Sequence, residues 1–269
     1  MISLSLVLLL VGFNAGAQDE TSSRVNSLVR ESQFIFQGTV AKLNSTTMPS
    51  SLPASDATVV VKVEEVIDAP ASLGNFTGQE ITVGLAKNSP VRSGQRLVFF
   101  TRGWLYGRSL AVSEVGRLEG GRNTAAIRRQ VAEARQMISD ENLSRRLARA
   151  EVVVVGTVTL VRPARERRRP SIITEHEPDW WEAVIEVETV MKGTLQSRSV
   201  VVLYANSNDV MWYGAPKFAR GQRGVFLLHR PDAELQRQWQ IQGLTALDPL
   251  DFQPPSEVER VKRLASNIR

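Results

Sequence analysis

Four arginines, Arg165, Arg167, Arg168 and Arg169, crowd the stretch between Pro163 and Pro170, and Trp180-Trp181 follow shortly after. Guanidinium groups interleaved with aromatic rings can grip phosphates and stack on bases or sugars. A charge run is more often a solvated loop, and that weighs against the chemical reading. Trp212 and Tyr213 form a second aromatic pair that could extend a patch with the tryptophans. Aromatics at the end of a sheet serve more often as lids on a core. These eight residues (Arg165, Arg167, Arg168, Arg169, Trp180, Trp181, Trp212 and Tyr213) are the candidate contact set.

Catalytic chemistry is poorly represented. His176 stands between Glu175 and Glu177, with Asp179 close by. A carboxylate–imidazole cluster could hold a metal, but proximity in one loop is a weak signal, and no metal or other cofactor is expected. The second histidine, His229, ends an apolar run and is expected at the surface. Glu186 and Glu188 share one face of an alternating strand at about 7 Å, a pairing that could serve glycoside chemistry or simply be two solvated strand residues. No His-Glu-x-x-His, Gly-x-Ser-x-Gly, phosphate loop or dinucleotide fingerprint occurs. Cysteine is absent altogether, which removes disulfides, thiolate zinc sites and thiol nucleophiles. No catalytic residue is assigned, and the expectation is a protein that is not an enzyme.

With 269 residues, 42% of them hydrophobic, the chain can bury a core in each of two domains. A formal charge of +5 favours anionic surfaces without specifying one. Residues Ile2 to Val11 are almost wholly apolar, and Ala15-Gly16-Ala17 follows. An apolar segment before a small-x-small pattern reads as a secretory signal over 1–17, cleaved near Ala17. It falls short of the roughly 20 apolar residues of a membrane-spanning helix, and no later segment could span. No Lys or Arg precedes the run, so either the start is misplaced or the amino terminus alone supplies the charge. The expected location is secreted or periplasmic. Partners are then another extracytoplasmic protein or an anionic envelope component, and export argues against nucleic acid.

The elements that must position these residues come as one pattern written twice. Gln33-Phe34-Ile35-Phe36-Gln37-Gly38-Thr39-Val40 is echoed by Glu151-Val152-Val153-Val154-Val155-Gly156-Thr157-Val158. A glycine inside each first strand predicts a bulge or sharp bend. Each second strand alternates with period two: Val59, Val61 and Val63 on one face, then Ala183, Ile185 and Val187. Both break phase at the same place, Val63-Glu64-Glu65-Val66 and Val187-Glu188-Thr189-Val190, which predicts a second bulge. Third strands follow at Glu80–Val83 and Ser199–Leu203. Ser93-Gly94-Gln95-Arg96 and Arg220-Gly221-Gln222-Arg223 lead into the fourth. Last strands are expected at Ser109–Val115 and Trp239–Leu244, with Trp104 and Tyr106 between the fourth and fifth strands of the first copy. Short amphipathic stretches (Val25, Leu28, Val29; then Leu143, Leu147, Ala148) open the copies. Helices carrying Ile127, Val131, Ala134 and Ile138, and Val258, Val261, Leu264 and Ile268, close them. Ser256 to Glu259 fits a capping box. A helix at 123–142, broken near Ser139-Asp140, links a domain at 22–122 to one at 143–269.

Five short strands, a kinked first strand, a long first loop and an adjoining helix describe the OB-fold. The succession of Gly-Thr-Val, an alternating strand, a Val-rich strand and Gly-Gln-Arg resembles the tissue-inhibitor-of-metalloproteinases and netrin-like branch of that fold, in cysteine-free exported versions. The expected fold class is mainly β with flanking helices: two tandem OB-like five-stranded barrels, each followed by a helix. The protease inhibitors of that group use an amino-terminal cysteine, which this chain lacks, so their mechanism does not transfer. The resemblance implies a binding or interaction module with no fixed partner. The alternative is a binder of anionic polymer, lipid headgroup or nucleic acid through the arginine loop.

Overall fold

Phe34-Ile35-Phe36 and Val152-Val153-Val154 are apolar without alternation because both faces of the strands they form are covered. Even-numbered residues point into a curled sheet and odd-numbered ones meet helices. A computed structural model of the chain describes residues 15–86, 90–121, 124–164, 178–239 and 243–268. It divides into two compact units, 1–138 and 139–269.

In the first unit, helix α1 (Ala15–Glu31) leads into strand β1 (Phe34–Leu43). Strands β2 (Thr58–Asp68), β3 (Glu80–Gly84), β4 (Arg96–Tyr106) and β5 (Leu110–Glu119) follow. They close a barrel in the order β1-β2-β3-β5-β4, with β3 and β5 parallel, consistent with an OB-like fold. Phe34, Phe36, Val61, Val63, Ile81, Val83, Leu97 and Phe99 fill its interior. On the outside, Ile35, Val98 and Phe100 are covered by Val25 and Val29 of α1 and by Ile127, Val131 and Ala134. Those last three lie on the first turns of helix α2 (Thr124–Arg149).

The second unit repeats this plan. The last turns of α2 precede β6 (Val152–Pro163), and β7 (Trp180–Lys192), β8 (Ser199–Ala205) and β9 (Arg223–Leu228) follow. Val152, Val154, Ile185, Val202 and Phe226 face inward. Leu143 and Leu147 of α2, with Val261 and Leu264 of the closing helix α4 (Val258–Ser266), cover Val153, Val155, Val225 and Leu227. α2 is therefore the closing helix of one copy fused to the opening helix of the next. The break expected at Ser139-Asp140 is absent. Neither residue is a Gly or Pro, and both are held from the side: Arg260 donates to Asp140 Oδ1 at 2.7 Å and to Ser139 Oγ at 2.8 Å.

The copies part company after the fourth strand. In place of a strand from Trp239, the second unit has helix α3 (Ala233–Trp239). Two-residue strands β10 (Leu244–Thr245) and β11 (Phe252–Gln253) come next. The result is a six-stranded half-barrel sheet in the order β10-β8-β7-β6-β9-β11. β10 runs parallel to β8, as β5 does to β3, but among the described residues a single His229–Thr245 bridge reaches from it towards β9. The edge of β9 is taken instead by β11. The capping box expected at Ser256–Glu259 is not formed. α4 starts from a 3-10 turn with no side-chain cap, while a true capping box stands at Asp248 and Asp251 around the turn Pro249–Asp251. Trp104 and Tyr106 belong to β4 rather than to the loop after it. Among the described residues, no helix is long and apolar enough to cross a membrane.

Candidate functional site

Gly-Thr-Val and Gly-Gln-Arg, the motifs that betray the repeat, meet in the fold. β1 and β2 slip register between Ile35/Phe36, Gln37/Gly38 and Val40/Lys42; β6 and β7 slip at Val153/Val154, Val155/Gly156 and Val158/Leu160, the same places in the second copy. At the middle slip the strands approach so closely that a Cβ on Gly38 would stand 2.6 Å from Val61 Cγ1 and 2.7 Å from the Lys62 carbonyl. On Gly156 it would strike the Glu186 carbonyl and lie 2.8 Å from Ile185 Cγ2. Opposite these glycines the second strand bulges, and the bulge carries Glu64 in one copy and Glu188 in the other.

Each bulged glutamate is gripped alike. Thr39 Oγ1 donates to Glu64 at 2.6 Å and Arg96 Nε at 2.5 Å; Thr157 Oγ1 donates to Glu188 at 3.1 Å and Arg223 Nη2 at 2.7 Å. Burial pushes the Glu64 carboxyl up, but hydrogen bonds from Thr39, Gln37 and Arg96 outweigh it and leave it below its ordinary value. For Glu188 the Arg223 hydrogen bond dominates and holds the carboxyl down. A carboxyl held down in this way is a poor general acid. The repeated wording thus encodes a strand-clamping triad.

The aromatic candidates lie at one end of the second unit. Trp180 and Trp181 are neighbours on β7 and so face opposite sides of the sheet. Trp181 packs against the inner core, and its Nε1 donates to Asp179 Oδ2 at 3.0 Å. Trp180 turns the other way, onto Leu203 with Ala164 and Leu235. Trp212 meets it edge to face at 5.5 Å. The sequence suggested one continuous patch; the fold pairs Trp180 with Trp212 and separates Trp181 from both. Arg165, Arg167, Arg168, Arg169 and His176 lie outside the described residues. Ala164 and Asp179, described residues close to either end of that segment, lie next to β7: Ala164 N–H donates to the Trp180 carbonyl at 2.9 Å, and Asn206 N–H to the Asp179 carbonyl at 2.8 Å.

Trp212 belongs to the connection between β8 and β9, which is tied by several internal hydrogen bonds. The Asp209 carbonyl accepts from the N–H groups of Trp212 and Tyr213 at 2.9 and 2.7 Å, and its Oδ1 accepts from Met211 N–H at 2.8 Å. Lys217 Nζ donates to the carbonyls of Trp212 and Ala215 at 2.9 and 3.0 Å. Burial lowers the Lys217 pKa. Phe218 anchors the far end against Tyr204 at 5.0 Å. Burial, and then the nearby Asp179 charge, push the Tyr204 hydroxyl up to about 12, so it stays neutral. On this connection Val210, Met211 and Tyr213 stand 82%, 63% and 76% exposed. Large apolar side chains displayed together on an ordered turn are an unusual expense for a water-facing surface.

One cluster escaped sequence reasoning. Asp251 is fully buried, and Arg146 Nε and Nη2 donate to its two oxygens at 2.6 and 2.8 Å. The N–H groups of Leu247 and Asp248 donate to Oδ2 at 2.7 and 2.9 Å. His229, expected at the surface, is buried here because the turn Pro249–Asp251 folds over the end of β9. Its Nε2 stands 3.0 Å from Asp251 Oδ1, a hydrogen-bond distance, although the ring N–H is poorly aligned with that oxygen. Burial pushes the Asp251 carboxyl up, but His229, Arg146 and the Asp248 N–H together bring it below the ordinary value. Its three side chains come from α2, the end of β9 and a turn near the C-terminus, so only the Asp248–Asp251 capping pattern was open to a sequence search. Among the described residues, no group of three or more His, Cys, Asp or Glu could hold a metal ion.

Comparison with protein-family models finds no match, and comparison with curated proteins finds none either.

Proposed function

We propose that this protein is an exported, non-enzymatic interaction module that grips another extracytoplasmic protein through the end of its second unit. Supporting export are the apolar segment Ile2 to Val11 and the Ala15-Gly16-Ala17 pattern. The tandem wording and the closed first barrel favour a cysteine-free relative of the inhibitor- and netrin-like OB-folds, with the half-barrel as its degenerate second copy. The observation that carries the binding reading is the hydrogen-bonded turn that displays Val210, Met211 and Tyr213 around Trp212, the ring partner of Trp180. A preordered apolar tip loses little conformational entropy on docking, and aromatic anchors dominate protein interfaces.

The test is capture from an envelope extract by immobilised mature protein (Gln18 onward), beside a Val210→Ser/Met211→Ser/Tyr213→Ser variant, at low and high salt. A protein retained by the wild type at high salt and lost with the variant is the expected result. Retention by both forms refutes the tip as the contact. Retention of polymer or lipid only at low salt would move the site to the arginines at 165–169.

A further inference from the structure

We infer that the cleft between the last turns of α2 and the turn Pro249–Asp251 is a binding site for a phosphate-class oxyanion. The cleft has a volume of about 330 Å³ and is lined by Asn142, Arg145, Arg146, Arg149, Asp248 and Leu250. Three arginines therefore line one hollow. Arg145 and Arg149 are one helical turn apart, a spacing at which like charges repel. The C-terminal dipole of a helix favours a cation in its last turn, but that does not require three to share a cleft.

The groups already on the site do not neutralise it. Asp251 is already engaged at both oxygens by Arg146 and at Oδ2 by two backbone N–H groups. Among the described residues lining the hollow Asp248 is the one carboxylate, and its Oδ1 accepts the Leu250 N–H at 2.9 Å. Arg145 touches the Asn142 side-chain oxygen, which leaves the Asn142 amide nitrogen as a further donor. Arg149 is exposed and makes no hydrogen bond or ion pair with the described residues.

Arg146 supplies the preorganisation. Its bidentate grip on a buried carboxylate fixes the guanidinium plane while using only Nε and Nη2, so the Nη1 hydrogens remain available. A fixed arginine fork flanked by two adjustable ones is suited to the several oxygens of a phosphate or sulfate group. The anion's source is either a free solute or a lipid headgroup, since the same oxygens are presented by both.

The test titrates the full chain with inorganic phosphate and with sulfate by calorimetry, at constant ionic strength maintained with chloride. A parallel arm measures co-sedimentation with phosphatidic-acid vesicles against phosphatidylcholine vesicles. Arg145→Ala/Arg149→Ala is compared with wild type and with Arg220→Ala, an exposed arginine elsewhere on the unit. Saturable phosphate binding that weakens roughly tenfold or more in the double variant, and not in Arg220→Ala, is the expected result. Arg149→Ala alone, at a side chain with no partner among the described residues, should show part of the effect if the double variant folds poorly. Vesicle binding lost with the same two arginines makes the headgroup the source, and phosphate binding without vesicle binding makes it a solute. The site is refuted if neither probe binds saturably, or if the variants match the wild type.

Discussion

Removing Arg146 should unfold the second unit far more readily than removing any surface arginine. Arg146→Ala leaves Asp251, a fully buried carboxylate, without the guanidinium that holds both of its oxygens. Breaking a buried ion pair from one side costs about 3–5 kcal/mol, and the low end applies because the Arg146 side chain keeps 23% of its exposure. Asp251→Asn should cost a similar amount: its amide oxygen can still accept from Leu247 and Asp248 N–H, but its amide hydrogens then face Arg146. Arg146→Met/Asp251→Asn removes that donor–donor conflict, so the double variant should lose less than the sum of the singles by about 1–3 kcal/mol. Urea unfolding followed by tryptophan fluorescence reads this directly, because four of the five tryptophans, Trp180, Trp181, Trp212 and Trp239, belong to the second unit. A loss under about 1 kcal/mol for Arg146→Ala, or strict additivity in the double variant, would refute the view of Asp251 as the keystone of the C-terminal turn.

Two further outcomes are expected. Gly156→Ala should destabilise by about 1–3 kcal/mol, since its methyl group would meet the Glu186 carbonyl rather than a side chain able to turn away; differential scanning calorimetry should show the loss, and an unchanged transition would mean the bulge can open. Acid should act through Asp251. Its folded-state pKa lies below the ordinary 3.8, so its contribution is fully present above that value and lost as pH falls through the folded pKa; equilibrium unfolding from pH 6 to 2 should show stability falling there, with a flatter profile in Asp251→Asn.

Much of the fold was open to a reader of the sequence alone. Phase breaks at Glu64 and Glu188 and the glycines at 38 and 156 announce bulges, because one extra strand residue inverts the side-chain pattern wherever it occurs. Apolar spacing likewise announces the helices around Val131 and Val261, since each must bury one face. What the motifs were for was hidden. Thr39, Glu64 and Arg96 are far apart in the chain, and only strand pairing brings them together, so a clamp could look like a signature or a pair of idle carboxylates. The same limit concealed the Arg146–Asp251–His229 cluster, whose members are ordinary residues until the C-terminal turn folds over β9.

By itself, the sequence determined the repeated run of the first four strands and their apolar faces, all of which are local periodicities. Only the tertiary structure decided that α2 runs unbroken through Ser139-Asp140, that the second copy stops at a half-barrel, and that Trp180 and Trp181 part company. Each of those turns on which distant group arrives to satisfy a buried or exposed partner: Arg260 at Asp140, β11 along β9, and Trp212 against Trp180.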